Sequence, residues 1–216
     1  MTLPNVTLFP QSLLPLYIFE PRYRQMLVKV LESERMFAVA MLKPGQSREV
    51  PMPVAGLGLV RVSVGHRDGS SHLILQGLAR VELQQAVKYK PFRIHKIKPL
   101  QTPPCNTTEA DALLDKVREL LHERIQLGLP FTFPVMPSQQ PIPEPISGSS
   151  PTLSPKEILG YLVSINEPEQ AVDLVSCAVL PNASERQRIL ETVDVEARLR
   201  VLIQFLIAEI RMRRKH

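Results

Sequence analysis

Residues 54–87 read VAGLGLVRVSVGHRDGSSHLILQGLARVELQQAV. Apolar residues crowd both arms of this stretch, and Arg67-Asp68-Gly69-Ser70 separates them with a turn signature. Gly56 and Gly58 lie inside the first arm, where glycine marks a bulge or a sharp bend. Gly77 divides the second arm into 72–78 and 79–87 and is expected to break it. The stretch predicts a β-hairpin bent at its glycines, as at the corner of a small barrel.

Working outward, the same strand-like signals recur. Val6-Thr7-Leu8-Phe9 and Leu16-Tyr17-Ile18-Phe19 are short apolar runs. Residues 36–42, MFAVAML, are apolar enough to be buried on both faces, and Lys43-Pro44-Gly45 stops them. Phe92-Arg93-Ile94-His95 alternates apolar with polar, as a strand with one wet face does. Many short strands joined by turns predict a closed or nearly closed β structure. One helix interrupts it. Pro21 suits a first helical position, and Tyr23, Met26, Leu27, Val30 and Leu31 share a face. Glu20 favours that helix N-terminus and stands four residues before Arg24, at pairing distance.

The period then changes. Leu113, Leu114, Val117, Leu120, Leu121 and Ile125 form a helical stripe that Gly128 and Pro130 end. Residues 130–151 hold seven prolines and read as an extended loop. Three or four amphipathic helices follow. Their start signals are Ser154-Pro155-Lys156-Glu157, Glu167-Pro168, a second capping box at Ser184-Glu185-Arg186-Gln187, and Asp194. The fold class is α+β: a β domain over 1–104 with one helix, then a helical bundle over 105–216 containing the Pro-rich insert at about 130–151.

Composition narrows the function. Across 216 residues, 44% hydrophobic and 22% charged content supports an ordinary soluble core, and a net charge of +5 permits an anionic partner without demanding one. Cys105 and Cys177 are far apart with no CxxC, which points to reduced thiols. The N-terminus lacks signal-peptide character and every long apolar run is broken by charge, so a cytoplasmic location is expected. His66, His72, His95 and His122 are scattered without metal spacing, so neither a metal nor a cofactor is expected. The serines of ISGSSPTLS form no GxSxG.

The order of motifs resembles the N-terminal substrate-recognition domain of the ATP-dependent Lon proteases. LFPQSLLPLYIFEPRYRQML is similar to the opening strand, "P-L-x-x-F-E-x-R-Y" turn and following helix of that family. FAVAML and VAGLGLVRV resemble its next strands, and LILQGLARVEL its hairpin with "G-x-x-R". Residues 190–199 match its "L-E-x-x-D-V-x-x-R-L" segment. The resemblance implies a PUA-like β pseudo-barrel followed by a helical bundle, and a role in recognising polypeptide for degradation. It covers nearly the whole chain except the Pro-rich insert.

The engines of such proteases are not in the sequence. No GxxxxGK[ST] phosphate loop occurs, and the Ser–Lys catalytic dyad belongs to a separate domain. A free-standing, non-catalytic member is expected. It would bind unfolded or degron-bearing polypeptide through apolar surface in the cleft between β domain and helical bundle, or serve as adaptor to a protease or ATPase chain through its helical bundle. Phe131, Phe133 and Met136 in the Pro-rich stretch are candidate peptide contacts, or else packed anchors. Lys88, Lys90, Arg93, Lys96 and Lys98, with Tyr89 and Phe92 nearby, support an alternative: a PUA-like module binding RNA through a basic strand. Protection of a strand edge by lysines is the plainer account of the same residues.

Overall fold

The computed structural model describes residues 1–46, 49–131 and 154–215. Six strands come first in the chain: β1 Thr2–Leu3, β2 Leu13–Ile18, β3 Met36–Met41, β4 Val54–Gly65, β5 Ser71–Lys88 and β6 Ile94–Pro99. Helix α1, Pro21–Leu31, lies between β2 and β3, with Pro21 in its first turn. Helices α2 Thr107–Gln126, α3 Pro155–Ser164, α4 Pro168–Val179, α5 Ala183–Glu191 and α6 Val195–Arg214 follow. The α+β architecture agrees with the change of period along the sequence.

The sheet runs β1-β3-β4-β5-β2, with β6 also paired to β5. Only β1 and β3 are parallel. The pairing is open, with β1 and β2 at the ends of the path, so the sheet is not a closed barrel. Its spine is β5, which pairs with β4 along one edge and with β2 and then β6 along the other.

Three local expectations change. Gly77 does not break β5, because what it provides is room: a Cβ there would overlap the Phe9 carbonyl. Gly56 likewise lets the Leu8 carbonyl approach, and a register shift falls between Leu57 and Gly58. Residues 6–9 therefore form no strand. They cross over the glycines with Leu8 and Phe9 fully buried. Finally, α5 is capped by Asn182, which accepts from the Ser184 amide, and not by a Ser184 box. The other capping box holds, since Ser154 and Glu157 bond each other's backbone.

Two main cores result. Leu8, Leu14, Leu16, Ile18, Leu73 and Leu75 pack beneath Tyr23, Met26 and Leu27 of α1. The helical core gathers Val117, Leu121, Val172, Leu199, Leu202 and Leu206, with Phe9 reaching in from the β part.

Candidate binding surface

Strand β2 alternates buried and open positions, with Leu14, Leu16 and Ile18 inside and Leu13, Pro15 and Tyr17 outside. In an antiparallel sheet with one wet face, the outside positions are normally polar. Here they are not. Pro15, Ile74 and Val62 form one cross-strand row on the outer face, and Tyr17, His72 and Val64 form the next. A third row runs Leu13, Gln76, Leu59 and Met36 from β2 across to β3. None of these ten side chains is Asp, Glu, Lys or Arg. Leu13, Val62, Val64, Ile74 and Met36 are between 37% and 57% exposed, so solvent touches a continuous apolar surface. Phe19 extends it, 57% exposed and stacked on Tyr17 with ring centroids 5.6 Å apart. Arg61, the extra residue where the β4 register shifts between Val60 and Val62, is exposed beside it.

The hairpin tip borders this face. Tyr17 stacks on His72 at 4.6 Å, and His66 Nε2 lies 2.6 Å from His72 Nδ1. The histidines that look scattered in sequence thus meet in a pair. Among the described residues no group of three or more His, Cys, Asp or Glu is placed to hold a metal. Gly69 turns the hairpin with φ of +79°, and the Arg24 guanidinium lies against it. Arg24 is therefore not the partner of Glu20. Glu20 pairs with Arg22, which also bonds Glu49.

The edge of β2 is blunted. Ser12 C=O accepts from the Gly77 amide, so alternate residues Leu14 and Leu16 turn their backbone toward β5. Pro15, with no N–H, takes an outward position where none is needed.

A cleft lies between sheet and helices. Its volume is about 240 Å³, and it is lined by Pro10, Gln11, Leu78, Arg80, Thr102 and Glu169. Its floor is charged. Arg80 and Arg198 both donate to Asp173 Oδ1, and all three side chains are at most 2% exposed. Arg198 also reaches Glu169 at 3.0 Å, and Thr102 donates to Glu169 at 2.5 Å. Burial pulls the Arg80 guanidinium below its ordinary pKa, and Asp173 opposes that. Burial pushes the Glu169 carboxyl up, but the Thr102 hydrogen bond and Arg198 outweigh it and leave it lowered. The two arginines are those of the "G-x-x-R" and "D-V-x-x-R-L" motifs, 118 positions apart in sequence. Their meeting at Asp173 was not visible there, because a helix residue flanked by apolar neighbours carries no label for its partner.

Of the residues singled out in sequence, Phe131 packs against the helical core with the Arg124 guanidinium 5.8 Å from its ring. Phe133, Met136 and most of the Pro-rich stretch lie outside the described residues. Lys88, Lys90, Arg93, Lys96 and Lys98 come together on the β5–β6 hairpin. The apolar outer face was missed. Its signal was the unbroken Leu73-Ile74-Leu75, where a wet strand would alternate with polar residues, whereas Val62 and Val64 alternate with Arg61 and Ser63 and follow the register shift at Arg61.

Comparison with known proteins agrees with this architecture. The chain is 23% identical over 205 residues to Lon protease of Desulfosudis oleivorans, covering 93% of this chain and 22% of that protein. It is 25% identical over 213 residues to Lon protease 2 of Bdellovibrio bacteriovorus, covering 95% and 24%. The chain thus spans under a quarter of the length of these relatives. The N-terminal domain of Mycobacterium avium complex Lon protease superposes with a TM-score of 0.68 at 17% identity, covering 95% of each chain. A Lon N-terminal domain protein from Xanthomonas campestris gives 0.60 at 16%, covering 94% and 95%. The family model for the ATP-dependent protease La (LON) substrate-binding domain matches residues 1–208, and the chain belongs to that family.

Proposed function

We propose that the outer face of β2, β5 and β4 binds unfolded or degron-bearing polypeptide through apolar side chains. The observation that carries this reading is the three-row, mainly apolar surface, interrupted by Gln76 and His72 and with no Asp, Glu, Lys or Arg, left in contact with water. Exposed apolar patches of this kind mark interaction sites. Membership of a substrate-binding family supports a recognition role and agrees with that chemistry. Pro15 on the free edge argues for side-chain docking across the face over addition of a strand to β2. The cleft between sheet and helices mixes Pro10, Leu78 and Leu100 with Arg80, Glu169 and Asp173, so it offers a less apolar surface than the outer face, and its ion pairs hold sheet and helices together.

The bound segment is extended, apolar and sparse in charge, because the three rows contain no Asp, Glu, Lys or Arg to pair with a buried ammonium or carboxylate, and Arg61 lies only at their border. The chain itself performs no catalysis in this reading. Purified protein is expected to cleave no casein and to turn over no ATP. Hydrogen–deuterium exchange in the presence of a permanently unfolded polypeptide tests the site. Protection confined to β2, β5 and β4 supports it, and protection only on the helical bundle would instead favour an adaptor docking there.

A further inference from the structure

The charge of the molecule is not spread evenly. Of its 26 Lys and Arg residues, Lys88, Lys90, Arg93, Lys96 and Lys98 fall between residues 83 and 101, a stretch with no Asp or Glu. The remaining 21 equal the number of Asp and Glu residues, so one hairpin carries the whole formal charge of +5. The four lysines are exposed and Arg93 is half-buried. Lys98 stands opposite Glu82 and Lys88 opposite Ile94, while Lys96 and Lys98 project from the same side of β6. None of the five forms a salt bridge among the described residues.

Lysines on an edge strand discourage pairing with another sheet, and that accounts for Lys96 and Lys98. It does not account for Lys88-Tyr89-Lys90. Tyr89 is 66% exposed, with the Arg93 guanidinium 5.8 Å from its ring centroid. Close by, Lys29 of α1 lies 5.8 Å from the Phe92 ring and adds a sixth cation to the surface. Cations interleaved with an open aromatic face match what single strands require: phosphate neutralisation plus a platform on which a base can stack. An acidic peptide would use the cations and leave the ring idle.

We propose that the β5–β6 hairpin binds single-stranded nucleic acid, with the five cations on phosphates and Tyr89 stacked against a base. The surface is separate from the apolar outer face, so the two activities fail independently. Fluorescence anisotropy with labelled oligouridine and oligothymidine tests it. Five neutralised phosphates give a slope of about −3.5 in log affinity against log salt, a loss of roughly 100-fold between about 50 and about 200 mM. Lys96→Glu with Lys98→Glu lowers affinity at least tenfold and flattens that slope. Tyr89→Ala lowers affinity about 5- to 150-fold with the slope kept, the range for one lost stacked base. All three positions are exposed, and circular dichroism confirms that the variants fold. No anisotropy change at low salt overturns the proposal. So does binding unaffected by the lysine reversals, or polyglutamate competing equally well with Tyr89→Ala silent, which would assign the hairpin to acidic peptides.

Discussion

Asp173, 1% exposed, receives Arg80 from the sheet and Arg198 from α6 on a single oxygen. Asp173→Ala strips the buried Arg80 of its counter-charge and leaves Arg198 beside it with Glu169 as its remaining carboxylate. Removing one partner of a buried pair costs about 3–5 kcal/mol, so urea denaturation is expected to show a loss of that size. Glycine positions give a sharper contrast. Gly77→Ala forces the Phe9 carbonyl away and destabilises by about 1–3 kcal/mol or more. Gly160→Ala, inside α3 with nothing near its Cβ position, stabilises by about 0.5–1 kcal/mol. Thermal melts of the two variants should move in opposite directions. Cys177 gives a chemical test. Burial, with Asp173 nearby, pushes its thiol up to about 11, so the thiolate is scarce at neutral pH. Ellman's reagent should label Cys105 in the native protein and reach Cys177 only after denaturation. At this scale sequence alone said little. The glycines were visible, but the carbonyls they admit came from residues about 50 to 70 positions upstream.

Elements were easier to read than their partners. α1, α2 and α6 follow from their apolar stripes, and Ser154, Asp194 and Pro21 mark helix starts where the structure has them. Residues 6–9 misled because an apolar run bounded by proline looks the same whether it pairs as a strand or lies as a buried crossing over glycines. The single long β5 was hidden for the same reason, since a glycine that admits a neighbouring backbone resembles one that ends a strand. The apolar outer face was legible only in part. A continuous apolar run reads as buried on both sides, and sequence cannot say that one side lacks a cover within this chain. Ile74 and Val62 sit adjacent on neighbouring strands of that face. Because both are open to solvent and stand directly opposite each other, their replacement by an opposite-charge pair, Val62→Lys with Ile74→Glu, is expected to shift stability by less than about 0.5 kcal/mol.

At the scale of the molecule, the sheet and the helices are joined by more than the chain connection. Arg80 donates to the Leu190 carbonyl, Gln187 to the Val54 carbonyl, and Arg186 to the Asn5 carbonyl. Phe9 belongs to the helical core although it sits among the strands. These contacts cross the expected boundary near residue 104, so the two parts should unfold in one transition seen alike by far-ultraviolet circular dichroism and tyrosine fluorescence. The most direct test of the outer face as a binding surface is the affinity of an extended, uncharged apolar peptide for the Val62→Lys, Ile74→Glu double variant, whose opposite charges face each other, against the unaltered protein. Each buried side chain contributes about 1.5–3 kcal/mol, so the account predicts a loss of at least tenfold with the melting temperature unchanged. Equal affinity for the two proteins would contradict it.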